Sequence, residues 1–394
     1  MRKSDSTGNK LRLYEILASA LIFAILIAWA LALGLSAGDR ELTAAQKRQY
    51  AVAKVTDVLA DNASPDTWTE GRRIGQQLLE IEVLTGVFKG EVLEATNFLS
   101  AYANVDAKLG SKVIVRLDTD EAGEPYVVSV PAYNRAPILL GLALIFAALL
   151  VIIGRKKGIM ALIGLIYTLA CIWFIQVPMI LRGAEPIFVS IVIVALTTAA
   201  SLLFLTGLSR KTLCAVLGCV CGVGVAGVFA AVSGSISQLN GFNLPEAEDL
   251  VLRATQDTIR ISGLLVSGIL VASLGAVMDV AMSISSSCWE LRRLNPGLPK
   301  AALFRSGMNI GRDAMGTMAN TLILAFAGAS LNTLLLFRIY GYPMIQIFNS
   351  DAMAVELIRG IAGSIGIILT VPLVAALSSA LMPPVKLKTG KSGK

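Results

Sequence analysis

Long apolar runs recur along this chain, and most are close to the roughly 20 residues that a helix needs to cross the hydrocarbon core of a bilayer. Hydrophobic residues make up 55% of the sequence and charged residues only 15%, against roughly 25% charged in an average soluble domain. The pattern predicts an α-helical polytopic membrane protein with about eight transmembrane helices. The predicted spans are Leu13–Leu35, Pro137–Ile153, Gly158–Leu181, Ile187–Leu208, Thr212–Val232, Gly263–Ser285, Ala314–Phe337 and Gly360–Met382.

The positive charges lie where they would fix the orientation of such a protein. The net charge is +7, and Lys and Arg cluster in short segments beside alternate spans, as in Arg155–Lys157 and Arg292–Arg305. Basic residues concentrate on the cytoplasmic side of membrane proteins. The distribution predicts a plasma-membrane protein with both termini cytoplasmic and residues 38–136 extracytoplasmic. It is not a footprint for nucleic acid.

Four segments follow from these boundaries. They are a cytoplasmic tail with an N-terminal anchor helix (1–37), an extracytoplasmic β-domain (38–136), a seven-helix transmembrane bundle (137–382) and a basic cytoplasmic tail (383–394). The first span has a competing interpretation as a cleaved signal peptide, because Leu35-Ser36-Ala37 ends in small residues. Its apolar run exceeds the roughly 7–15 residues typical of a signal core, which favours an uncleaved anchor. Whether it is ever cleaved stays open.

The segment 38–136 has the composition of a soluble domain and the alternation of β-strands. The predicted strands are Tyr50–Leu59, Gln76–Leu84, Glu91–Phe98, Lys112–Asp118 and Tyr126–Pro131. Five short strands in such a length indicate a small all-β, OB-like barrel inserted between the first and second spans. Its aromatic residues are spaced as core: Trp68, Phe88, Phe98, Tyr102 and Tyr126. We therefore expect a module that faces protein or lipid, with no nucleic acid as a partner.

Polar residues interrupt two of the later apolar runs at helical spacing. From Asp279, steps of three or four residues reach a set of small or polar side chains: Ala272, Gly275, Ala276, Ser283 and Ser286. A second such set, in the next helix, is Asn309, Asp313, Gly316, Thr317 and Asn320. A carboxylate within a span costs roughly 2.5–3.5 kcal/mol even on the gentler scales, so it normally faces protein or water. We predict that the two faces oppose each other across a polar seam.

Each polar residue also has a structural interpretation. Asp279 is either a proton- or cation-binding group or a carboxylate satisfied by Ser283 or another helix. Arg312 and Asp313 are either a cytoplasmic gate or an interfacial pair at a helix N-terminus. Asn320 serves equally well as an interhelical hydrogen-bond partner. The predicted ion-binding set is Asp279, Asp313, Asn320, Asn309, Ser283 and Thr317.

Catalytic chemistry finds little support. Histidine is absent, and no base is evident beside the serines at 283 and 285–287. The contexts of Asp279 and Asp313 lack the Gly-x-Gly-Asp signature of intramembrane aspartyl proteases. Cys219-x-Cys221 has no matching second pair, and no nucleotide-binding motif occurs. We expect no enzyme, no metal and no cofactor. The small residues Gly218, Gly222 and Ala226, with Gly360, Gly363, Ser364 and Gly366, predict close helix packing.

Two segments resemble a known family. They are Leu274-Gly275-Ala276-Val277-Met278-Asp279-Val280-Ala281-Met282-Ser283-Ile284-Ser285-Ser286-Ser287 and Gly311-Arg312-Asp313-Ala314-Met315-Gly316-Thr317-Met318-Ala319-Asn320-Thr321-Leu322. They look like the signature segments of the YibE/F family of bacterial multi-pass membrane proteins, and the resemblance covers nearly the whole chain. It implies architecture and location, and it implies no substrate.

Two function classes stay open at this point. The polar seam favours a permease or channel-like transporter of a small solute or ion. The alternative is a non-transporting membrane scaffold or sensor whose β-domain recruits a protein partner while the polar residues hold helices together. The lipid bilayer is the partner common to both hypotheses. Substrate, direction, energy coupling and oligomeric state are left undetermined.

Overall fold

The computed structural model describes residues 48–383 apart from 121–122, 245–246 and 254–258. The described residues form two compact units, which divide between residues 149 and 150. The predicted first span Leu13–Leu35 and most of the basic C-terminal tail lie outside the described residues.

The first unit contains a closed β-barrel. Its strands are β1 (Arg48–Asp61), β2 (Ser64–Pro65), β3 (Arg73–Val83), β4 (Val92–Leu99), β5 (Lys112–Thr119) and β6 (Pro125–Tyr133). The hydrogen-bonded order β1-β5-β6-β4-β3 returns to β1, because β1 pairs with both β3 and β5, and β4 and β6 are parallel. Five long strands thus confirm the predicted all-β domain, and their order is consistent with an OB-like barrel.

Aliphatic side chains from alanine to leucine fill the barrel, with Leu79 and Leu117 among the largest. Ala53, Val55, Ala95 and Val113 are fully buried at alternating positions of their strands. A five-stranded barrel has a narrow interior, which such residues fill without voids. The expectation that the aromatic residues form this core is therefore wrong for four of the five. Phe88 is buried, whereas Trp68, Phe98, Tyr102 and Tyr126 are exposed.

A polar network links one end of the barrel to the loop after β4. Arg73 donates to Asp61 at 2.6 Å and to Asp106 at 2.8 Å, and Gln77 donates to Asp61 at 3.0 Å. Buried Asn97 donates to Gln77 Oε1 at 2.9 Å. The Arg73 hydrogen bond, with that of Gln77, lowers the pKa of Asp61 from 3.8 to about 2. The network thus depends on an ionised Asp61.

The second unit is helical. Its elements are α1 (Ala136–Cys171, which begins in the first unit), a π-helix (Ile172–Gln176), α2 (Val177–Leu181), α3 (Pro186–Thr206), α4 (Arg210–Ile236), a 3₁₀ turn (Gly241–Asn243), α5 (Ala247–Arg253), α6 (Leu264–Leu294), α7 (Lys300–Ala329), α8 (Leu331–Ile339), α9 (Met344–Phe348) and α10 (Asp351–Leu381). Side chains cap several of these starts, with Glu185 at α3, Ser209 at α4 and Ser350 at α10.

Five helical segments in the described part of the chain are long and apolar enough to cross a membrane, and the α7–α8 pair, bent by 54°, makes up to six. One segment, Ala136–Leu181, has 46 residues. At 1.5 Å per residue it would measure roughly 70 Å, more than twice the hydrocarbon thickness. Arg155 interrupts it with non-helical torsions (φ 48°, ψ −128°), between two of the predicted spans. The count of eight crossings stays a prediction.

Glycines bring the central helices into close contact. In α4, Gly218 lies against Val374, Gly222 against Thr370, and Ala226 against Gly366, all residues of α10. The predicted small-residue stripe is thus a packing surface, and an added methyl group at Gly222 would overlap the Thr370 hydroxyl. The buried core around it is formed by α4, α6, α7 and α10.

We predict that Gly222→Ala destabilises the bundle by about 1–3 kcal/mol, because overpacking forces α4 and α10 apart. The matched control is Gly224→Ala, in the same helix, where nothing lies within 4 Å of an added Cβ. Thermal unfolding in detergent measures both. Equal midpoints for the two variants would contradict the packing assignment.

Acid should weaken the β-domain through Asp61. Since the folded-state pKa of Asp61 is depressed to about 2, its stabilisation is fully present above about pH 4 and is lost as the pH falls towards 2. Hydrogen exchange of the β3 amides between pH 5 and 2.5, corrected for intrinsic exchange, measures the loss. Asp61→Asn should be less protected at pH 5 and should show a smaller further decline. An unchanged pH profile in Asp61→Asn would count against this role.

Candidate functional site

The polar face predicted around Asp279 lies on α6. Valines 277 and 280, with Ala281 and Ile284, are fully buried against the helical core, so the opposite side of α6 is turned away from it. On that side Ala272, Gly275, Asp279 and Ser283 are exposed, and Ala276 and Ser286 are half-buried. No atom lies within 4 Å of a Cβ built on Gly275.

The second polar face lies on α7 and is exposed in the same way. Its buried residues are Leu303, Gly307 and Gly311. The predicted polar residues are all exposed: Asn309, Arg312, Asp313, Gly316, Thr317 and Asn320. Gly316, like Gly275, has open space beside it. We refer to the exposed side chains of these two faces together as the α6/α7 polar band.

The two faces lie at the same level of an antiparallel helix pair. Gly311 of α7 packs against Ile284 of α6, and Gly307 packs against Cys288. Counting five residues from Ile284 along α6 and from Gly311 along α7 reaches Asp279 and Gly316, which are therefore level with each other. Asp279 is thus at the depth of the Asp313–Asn320 segment.

The hydrogen bonds of the band that involve Arg312 and Thr317 stay within α7. Arg312 donates to Asn309 Oδ1 at 3.3 Å, and the Thr317 hydroxyl donates to the Ala314 carbonyl at 2.9 Å. Within the described residues, no hydrogen bond or ion pair joins Asp279, Asp313 or Asn320 to the facing helix. The structure therefore brings the predicted residues to one level but leaves them open, and it does not close them into a buried seam.

Sequence reasoning passed over a second group of polar residues. Gln176, Ser190 and Ser267 come from the π-helix, α3 and α6, and they are buried together. The available signal was an amide within the apolar run Gly158–Leu181 and a lone serine early in each of two others. In the described part of the chain, no group of three or more His, Cys, Asp or Glu side chains is arranged to hold a metal ion.

Comparison with known proteins gives one result. The family model described as YibE/F-like protein matches residues 142–384, which is well over half of the chain. No curated protein and no solved structure matches this chain. The matched region contains both polar faces and the glycine-packed core.

Proposed function

The chain belongs to the YibE/F-like family, and we propose that it is a permease or channel-like transporter of a small solute or ion in the bacterial plasma membrane. The observation that carries this proposal is the α6/α7 polar band, on helices otherwise apolar enough to cross a membrane. Acyl chains offer such side chains no hydrogen bonds, so the band has to meet water or protein. A water-filled path along it satisfies that requirement.

Within this path the residues have different roles. Asp279 is the carboxylate that binds a proton or cation, since it is the acidic residue of the α6 face. Ser283, Thr317, Asn309 and Asn320 supply neutral oxygens and amides along the band. Arg312 and Asp313 form a gate near the basic turn between α6 and α7, which the positive-inside rule assigns to the cytoplasm. Both termini are then cytoplasmic and residues 38–136 extracytoplasmic.

The bend between α7 and α8 supports the same function. The two helices meet at Ser330 at an angle of 54°. Interrupted helices recur in transporters, where freed backbone groups and helix ends contribute to the transport path. Here the interruption comes at the end of α7, the helix that contributes half of the polar band.

We predict that Asp279→Asn lowers cation or proton flux into proteoliposomes at least about tenfold, because a charged binding group typically contributes about 1.5–3 kcal/mol. Flux is followed with pH-sensitive and cation-sensitive dyes under an imposed gradient. The variant should keep its thermal unfolding midpoint, since the Asp279 side chain is exposed and makes no hydrogen bond to the facing helix within the described residues.

The control is Glu290→Gln, which makes the same carboxylate-to-amide change on the same helix. Glu290 pairs with Arg293 at 2.6 Å, away from the band. Flux should be unchanged in this control. A wild-type rate in Asp279→Asn would remove Asp279 from the transport path.

A second candidate function, a scaffold or sensor, is favoured by the surface of the β-domain. Trp68 and Tyr102 are more than 90% exposed, and Phe98 is also exposed. The Arg72 guanidinium donates to the Ala101 carbonyl at 3.1 Å, which brings the loops carrying Trp68 and Tyr102 together. Exposed aromatic side chains are enriched in protein-binding surfaces.

Deleting residues 38–135 while keeping both flanking spans separates the two candidates. A permease that works through the α6/α7 polar band should keep its flux, because the band lies outside the deleted segment. A scaffold should lose both its captured partners and its phenotype. Loss of partners with no measurable flux in the intact protein would favour the scaffold.

A further inference from the structure

We propose that the bundle contains a monovalent-cation site built by Gln176, Ser190 and Ser267. This site is separate from the α6/α7 polar band, and its existence does not depend on transport. The three side chains are at most 5% exposed and come from the π-helix, α3 and α6. Ser190 and Ser267 are 14 and 91 residues from Gln176 in sequence, so their meeting is a feature of the fold.

The three side chains form a tight polar cluster. The Gln176 Nε2 group lies 2.9 Å from Ser190 Oγ and 3.3 Å from Ser267 Oγ. The two serine oxygens are 2.6 Å apart, and the Ser190 hydroxyl donates to the Pro186 carbonyl at 2.8 Å. Since the single Ser190 proton is used in this way, the Ser267 hydroxyl is the donor between the two serines.

All hydrogen-bond donors of this cluster are already used in bonds, and only acceptor atoms are left. Gln176 Oε1 is buried and has no hydrogen-bond partner among the described residues. If the oxygen and nitrogen of the Gln176 amide exchanged positions, Nε2 would be the buried group without a partner. The hydrogen bond from Nε2 to Ser190 would also be lost, so this orientation is disfavoured. The cluster therefore leaves two acceptors unused, the Gln176 carbonyl oxygen and a lone pair on Ser267.

Buried oxygen acceptors without a donor are suited to a cation. Neutral carbonyl oxygens hold monovalent cations in membrane proteins, whereas calcium and magnesium sites use carboxylates, which this cluster lacks. An alkali ion and an ammonium ion share this chemistry. The competing occupant is a water molecule that donates to the same oxygen, and ion dependence separates the two.

The bundle also contains a pocket of about 450 Å³ between the starts of α3 and α6 and the end of α4. Among the described residues that line it, Glu185 is the ionisable one. Gly263 lies against Ile187 and close to Glu185 Oε1. Ser190 and Ser267 come one helical turn further along α3 and α6 than Ile187 and Gly263 of the pocket lining, and the described lining residues include no basic side chain.

The π-helix positions the amide. The Val177 N–H bonds to the Ile172 carbonyl, five residues back, which widens this turn and makes Gln176 its last residue. Single π-turns within α-helices are rare and frequently occur at functional sites. Here the turn ends at the amide that carries the unpartnered oxygen.

The test is the thermal unfolding midpoint of the full chain in detergent, in NaCl, KCl or NH₄Cl against N-methylglucamine chloride at equal ionic strength. At least one of the three cations should raise the midpoint in a saturable way. Ser267→Ala should raise the half-saturating concentration about tenfold or more, and Gln176→Leu should abolish the shift.

Ser273→Ala is the matched control, because Ser273 is an equally buried serine of α6 that bonds only to the Leu270 carbonyl in its own helix. It should keep the wild-type ion response. Equal midpoints in all four salts would overturn the proposal in favour of water. A cation-induced rise of the midpoint that persists in Gln176→Leu would also overturn the proposal. If Gln176→Leu fails to fold, an unchanged half-saturating cation concentration in Ser267→Ala would overturn it instead.

Discussion

Lipid is a poor solvent for hydrogen-bonding groups, and this constraint governs the membrane part of the molecule. Backbone groups are satisfied within helices, and polar side chains need protein or water around them. The bundle meets the requirement in two different ways. Buried hydroxyls bond back to carbonyls of their own helix, as Thr197 does to Ile193 and Thr370 to Gly366. The α6/α7 polar band instead gathers on one exposed side.

Close packing determines which sides of the helices are left for that band. The contacts of α4 with α10 depend on glycines that admit the neighbouring side chains, and Gly307 and Gly311 do the same where α7 meets α6 and α10. These contacts occupy the Gly307 and Gly311 face of α7 and the Ile284 and Cys288 face of α6. The faces carrying Asp279 and Asp313 are consequently left outside the core.

Much of the architecture could be predicted from residue patterns, because burial imposes a period on the sequence. Alternation located all five long strands of the barrel, and apolar length located the bundle helices. Periodicity also grouped Asp279 with Ser283, and Asn309 with Asp313, each on one face. It could not say whether those faces turn inward, since that depends on which neighbour a helix packs against.

The other differences between the sequence-based predictions and the structure also arise from tertiary packing. The aromatic residues of the β-domain were assigned to its core by spacing, yet the narrow barrel admits alanine and valine and leaves Trp68 and Tyr102 in loops. Gln176 gave only a faint signal as one amide in an apolar run. Its partners are 14 and 91 residues away in sequence, and only the tertiary fold brings them together.

The closure of the β-barrel limits how anything can attach to it. Because β1 bends through two irregularities and pairs with β3 on one side and β5 on the other, the five long strands form a continuous ring. Within the described residues β1, β3 and β5 are paired along both sides, so an additional strand could be laid only beside the β4–β6 junction, where the pairing is limited to Thr96 and Ser129. Recognition elsewhere on this domain has to proceed through side chains on its loops and outer wall, which gives the shape of the partner more weight than its capacity for backbone pairing.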